Sequence, residues 1–123
     1  MRLLTHTFMH VEHLSLTNFR NYARLELSLP SNRPIVLHGE NAQGKTSLLE
    51  AIYFLAASHS PHTTSDRQLI NWRAEDEPIP FARLSAEVEG RGGSFNRLEM
   101  TLVLDRAPDG SQRGLCDPAK RGE

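Results

Sequence analysis

From Met9 onward, apolar and polar positions alternate in runs that predict strands. Glu12, Leu14 and Leu16 lie at alternate positions and lead to the Thr17-Asn18 pair. Leu25, Leu27 and Leu29 alternate with Glu26 and Ser28, the pattern of a half-buried strand. Pro30-Ser31-Asn32 reads as a turn. Ile35-Val36-Leu37 is a continuous apolar run, suited to a strand buried on both faces, and it stops at His38-Gly39. The period then changes. Leu48, Leu49, Ile52, Leu55 and Ala56 recur at helical spacing, with Thr46, Ser47 and Glu50 at the polar beginning. A helix from about Lys45 to Ala57 follows from that spacing.

Ser58 to Asp66, rich in Ser, Thr, His and Pro, reads as a loop, and Arg67 to Trp72 as a short helical turn. Glu75 to Pro80, acidic and holding two prolines, is a connector, with Glu75-Asp76-Glu77 a solvated run. Ala82, Leu84, Ala86 and Val88 then share one strand face, and Leu98, Met100, Leu102 and Leu104 share another. The turn residues Gly90-Arg91-Gly92-Gly93 between them predict an antiparallel hairpin. After Asp105 the alternation ceases, and Leu115 is the only aliphatic residue larger than alanine from Arg106 to Glu123.

Composition narrows the classes. A chain of 123 residues fits one domain with one modest core. Hydrophobic residues make up 38% and the formal net charge is -1, which excludes wholesale disorder and a strongly basic nucleic-acid-binding peptide. The apolar runs fall far short of the ~18 residues of a membrane span, so no membrane partner is expected. One cysteine, Cys116, excludes a disulfide scaffold and fits a reducing cytoplasm. Cys116 sits in the unpatterned tail, where nothing argues for a catalytic thiol. Residues 1–8 are too short and too polar for a secretion signal, and Met9 opens the patterned region. Residues 1–8 are therefore read as an upstream extension, 9–105 as the structured lobe, and 106–123 as a tail of truncated or frame-shifted origin.

The chemistry lies in Gly39-Glu40-Asn41-Ala42-Gln43-Gly44-Lys45-Thr46, which matches the phosphate-binding P-loop G-x-x-x-x-G-K-[ST]. An apolar strand pattern leads in and a helical pattern leads out, the context such a loop requires. Gly39 and Gly44 permit backbone angles and close approach that a Cβ would forbid. Backbone N–H groups from Asn41 to Thr46 can then cradle phosphate oxygens, aided by the positive end of the helix dipole. Lys45 is one of only two lysines, with Lys120. It would reach the β- and γ-phosphates, while the Thr46 hydroxyl would hold Mg²⁺. ATP with Mg²⁺ is the expected ligand.

Leu14-Ser15-Leu16-Thr17-Asn18-Phe19-Arg20-Asn21-Tyr22, followed by the P-loop and Ser47-Leu48-Leu49-Glu50-Ala51-Ile52-Tyr53, resembles the start of the RecF family of bacterial DNA replication and repair proteins. Asn18-Phe19-Arg20 is shared with the wider group of structural-maintenance-of-chromosomes and Rad-type ATPases. Asp66-Arg67 and Leu69-Ile70-Asn71-Trp72 resemble a further RecF segment, and the likeness fades after Leu104. The resemblance implies an α/β fold: the amino-terminal lobe of an ATP-binding-cassette-type P-loop NTPase head, with antiparallel strands and one main P-loop helix. It also implies an ATP-dependent homodimer that clamps DNA with single-stranded or gapped regions, recombination mediator partners, and roles in recombinational repair and the SOS response. Two departures stand out: His59 and His62 occupy a loop where the family places arginines, and no Walker B or signature motif is present. The expectation is ATP binding without competent hydrolysis.

Several residues carry narrower expectations. Arg20 is read either as a nucleotide contact, from its place in the shared pattern, or as a solvated turn arginine. Phe19 and Tyr22 are read as packing residues, and His38 as a packed, hydrogen-bonded imidazole. His59 and His62 lie three apart with no third ligand nearby, which argues against a metal site. Asp105 is preferred as the end of a hairpin strand. The alternative reading is a stand-alone small P-loop protein of kinase or switch type, with Asp105 as its magnesium acid. A further alternative is that the chain does not fold stably, its strands lacking neighbours to cover them.

Overall fold

The computed structural model describes residues 9–30, 33–40, 44–106 and 112–118, with only the backbone described at 75, 105, 106 and 112–118. Five strands form one antiparallel sheet: β1 (His10–Phe19), β2 (Tyr22–Ser28), β3 (Phe81–Glu89), β4 (Phe95–Arg106) and β5 (Gln112–Pro118). Their spatial order is β2-β1-β3-β4-β5. Between β2 and β3 the chain leaves the sheet to form helix α1 (Lys45–Ala57) and two short 3-10 turns, Asp66–Leu69 and Trp72–Asp76. The helix packs on the face shared by β1, β3 and β4.

Alternation explains which face is covered. Leu14 and Leu16 on β1, Ala82, Leu84, Ala86 and Val88 on β3, and Met100, Leu102 and Leu104 on β4 are all buried. The register places Leu16 opposite Leu84, and Leu84 opposite Met100, so the apolar faces align across three strands. A bulge between Val11 and His13 absorbs one extra residue, so Val11 and Leu14 both pair with positions on the apolar face of β3. Helix α1 contributes Leu48, Ala51, Phe54 and Leu55 to the same core. The helix bounds and the β3–β4 hairpin match the periodicity, and Asp105 lies in β4 as a hairpin-strand residue.

Two stretches differ from expectation. Residues 33–40 form no strand, and Ile35, Val36 and Leu37 are 46%, 85% and 39% exposed instead of buried on both faces. A continuous apolar run favours no face, and its burial depends on hydrogen-bonded neighbours at both edges and cover above and below. Among the described residues no strand pairs with it. Conversely, Gln112–Pro118 pairs with β4 from Met100 to Arg106, although its sequence lacks strand alternation. The ladder is made by backbone groups, which need no side-chain pattern.

The helix supplies a direct check on this packing. Phe54 is 1% exposed and Leu49 is 60% exposed. Phe54→Ala is expected to lower the unfolding free energy by about 3–5 kcal/mol in urea denaturation, whereas Leu49→Ala stays within about 0.5 kcal/mol of the parent.

Candidate functional site

The amino end of α1 is fixed by the turn between β1 and β2. Gly44 is the N-cap of the helix, with φ 99° and ψ 8°, and its carbonyl accepts from the Leu48 amide at 3.0 Å. The Tyr22 hydroxyl donates to that same carbonyl at 3.0 Å. A Cβ at Gly44 would lie 2.7 Å from the Tyr22 hydroxyl and 2.8 Å from the Asn21 amide nitrogen. Glycine is therefore required twice over, by the left-handed backbone and by the closeness of the hairpin turn. Tyr22 packs as expected, and Phe19 is fully buried.

Lys45 is half-buried, and its ammonium donates to the Gly39 carbonyl, closing the loop on itself. Thr46 and Glu40 are exposed, and Asn41, Ala42 and Gln43 lie outside the described residues. Gly39, Gly44, Lys45 and Thr46 are thus brought together at the helix start. Beside them opens a cavity of about 770 Å³. One wall is Gly44 to Ser47, a second is Arg20 and Asn21, and the third is Arg67, Gln68, Ile70 and Trp72.

Arg20 has a role outside both readings of the sequence. Its Nε donates to Glu50 Oε1 at 2.6 Å and its Nη2 to Oε2 at 2.9 Å. Glu50 is 3% exposed, and it also accepts from the Ser60 hydroxyl at 2.7 Å. The guanidinium therefore links the β1–β2 turn to the buried side of α1 while lining the cavity, which excludes a purely solvated arginine. Burial pushes the Glu50 carboxyl up and is the largest single influence. Hydrogen bonds from Arg20 and Ser60, with the charges of Arg20 and His62, together outweigh it and hold Glu50 below its ordinary value of 4.5. The periodicity put Glu50 at the polar beginning of the helix. The overlooked signal was its spacing of four from Phe54, which places it on the buried side.

The third wall is stitched to β1 through the backbone. The Arg20 amide donates to the Leu69 carbonyl at 2.7 Å, and the Asn71 amide donates to the Asn18 carbonyl at 2.8 Å. Asn18 and Arg20 both adopt positive φ, 51° and 52°, which aims these backbone groups at the 66–72 segment. Asn18-Phe19-Arg20 is thus a structural junction as well as a cavity wall.

The histidines fall differently. His38 is exposed, against the expectation of a packed imidazole, because the run preceding it is not in a sheet. His59 Nδ1 lies 3.0 Å from the Ala57 carbonyl, and its ring meets Tyr53 edge-on. The His62 amide donates to Ser60 Oγ. Among the described residues, the metal-capable groups that converge are His10, Glu12 and Glu89, where no sequence pattern pointed.

The AAA ATPase domain family matches residues 9–97. The DNA replication and repair protein RecF of Chloroflexus aggregans is 51% identical over 106 residues, covering 85% of this chain and 26% of that protein. That of Roseiflexus castenholzii is 46% identical over 114 residues, covering 91% and 28%. The solved structure of the recombination mediator protein RecF-ATP in the RecFOR pathway superposes with a TM-score of 0.69 at 20% identity, over 100% of this chain and 30% of that one. The chain belongs to the AAA ATPase domain family and is a homologue of RecF proteins. It spans about a quarter of the length of the curated relatives it matches.

Arg20→Ala strands a buried carboxylate and is expected to cost about 3 kcal/mol in urea denaturation, and Arg20→Ala/Glu50→Gln less, since no charge is left unpaired. Because folded Glu50 titrates below its ordinary 4.5, its stabilisation is complete above that value and lost as pH falls through the lower folded-state value. Stability of the parent should therefore drop on acidification below 4.5 more steeply than that of Glu50→Gln. Gly44→Ala, with its Cβ against Tyr22 at positive φ, should lower the thermal midpoint, at a cost of about 2 kcal/mol.

Proposed function

We propose that this chain is the nucleotide-binding lobe of a RecF-type DNA replication and repair protein, and that it holds ATP with Mg²⁺ at Gly39 to Thr46. The observation that carries this reading is the junction of Gly39, Gly44 and Lys45 at the start of α1, opening on the 770 Å³ cavity. A space of that size suits a mononucleotide.

The residues present fit the group. Lys45 brings positive charge to the cavity, and the first amides of α1 add the positive end of the helix dipole. Backbone amides of Glu40, Asn41, Ala42 and Gln43 complete the cradle in this reading. Lys45 rests on the Gly39 carbonyl and exchanges that acceptor for a phosphate oxygen, so binding replaces a bond to a neutral acceptor with one in which both partners are charged. The Thr46 hydroxyl is exposed and serves as the protein's ligand to Mg²⁺. Mg²⁺ would offset part of the triphosphate's negative charge when bound.

Beyond the lobe, the reading follows the RecF resemblance of the sequence. The parent protein acts on DNA with single-stranded or gapped regions in the cytoplasm, works with recombination mediators in repair and the SOS response, and dimerises with ATP. Residues 9–105 form the lobe, 1–8 an upstream extension and 106–123 a tail whose β5 strand extends the sheet. Calorimetric titration with Mg·ATP tests the site itself. Lys45→Ala should weaken binding by about 10- to 100-fold while leaving the urea midpoint near that of the parent. Equal affinity in the two proteins would remove the basis of this reading.

A further inference from the structure

Trp72 stands out among the cavity residues because it is 70% exposed, and the segment that carries it is firmly anchored. Asn71 before it is buried, hydrogen-bonded to the Asn18 carbonyl, and accepts from the Arg73 amide through Oδ1 at 2.9 Å. Ala74, two residues on, is buried at 3% exposure. A side chain carried between two buried anchor positions is exposed by the fold itself. Exposure of a large indole sacrifices the burial that normally stabilises such a residue. The Arg73 guanidinium lies over the ring, 5.2 Å from its centroid. A cation over one face of an indole is attracted by the ring quadrupole, and stacking requires only the opposite face.

We propose that Trp72 is the base-stacking platform of this site, receiving the purine of the nucleoside triphosphate whose phosphates lie at Lys45 and Thr46. The inference rests on the nucleotide reading above and adds the element that binds the base. One cavity joins the P-loop wall to the Trp72 wall, so phosphate-binding and base-binding chemistry share a single space. Stacking holds a base by its π-face and works for any purine, whereas hydrogen bonds to base edges would select one. The cavity's contact with the phosphate-binding residues favours a mononucleotide over a nucleic-acid strand.

Trp72 is the only tryptophan of the chain, so its intrinsic fluorescence reports on this position alone. The full chain is titrated with Mg·ATP and with Mg·tripolyphosphate, which lacks a base, following heat and fluorescence together. Both ligands should bind, with only ATP quenching the tryptophan. Trp72→Ala should weaken ATP by about tenfold and leave tripolyphosphate affinity unchanged, and Trp72→Phe should recover part of the loss. Three results overturn the proposal: ATP binding without a fluorescence change, equal quenching by tripolyphosphate, or unchanged ATP affinity in Trp72→Ala. Quenching by a single-stranded oligonucleotide but not by ATP also overturns it, and assigns Trp72 to nucleic acid. Failure of both ligands to bind removes the nucleotide reading itself, and this inference with it.

Discussion

The Arg20–Glu50 pair is the interaction on which the geometry of the site depends. A carboxylate removed from water is tolerated only when its charge is matched and its oxygens are occupied. Here two guanidinium nitrogens and the Ser60 hydroxyl meet that requirement. These contacts join three parts of the chain that are distant in sequence: the β1–β2 turn, the second turn of α1 and the loop that follows the helix. A single guanidinium thus fixes where the helix sits relative to the hairpin, and both flank the cavity.

The start of α1 inherits its position from that arrangement. Tyr22, two residues after Arg20, reaches the Gly44 carbonyl, so the turn that holds Glu50 also holds the cap of α1. On the other side, Arg20 and Asn18 use their backbones to dock the 66–72 segment, which carries the remaining cavity wall. The hairpin turn therefore serves as a hub. The P-loop helix and the Trp72 segment both contact it, and all three line the cavity. Positive φ at Asn18 and Arg20 is the local strain that permits this docking.

Legibility from sequence followed the kind of information each element needed. Strands β3 and β4 show period two, helix α1 shows helical spacing, and their bounds could be read because one buried face imposes the pattern. Gly44 and Lys45 were legible because the loop motif constrains residue type at fixed spacing. Glu50 was misplaced because a charged residue on a helix is ordinarily solvent-facing, and only a distant arginine reverses that rule. His38 and Ile35 to Leu37 were misplaced because a continuous apolar run states that burial is favourable without stating what provides it. Strand β5 was hidden because backbone pairing leaves no periodic trace when the side chains do not define a face.

Spacing along the chain set the helix, the hairpin strands, the apolar face of the sheet and the residues of the P-loop motif. Each of these arises from spacing along one short segment. Tertiary contacts were needed to show that Arg20 serves Glu50, that Gly44 lies under Tyr22, and that Trp72 stands exposed in the cavity that Lys45 also lines. Those relations join residues far apart in the chain, and they are set by which buried charges and backbone groups find partners. Long-range pairing of that kind leaves no period to read.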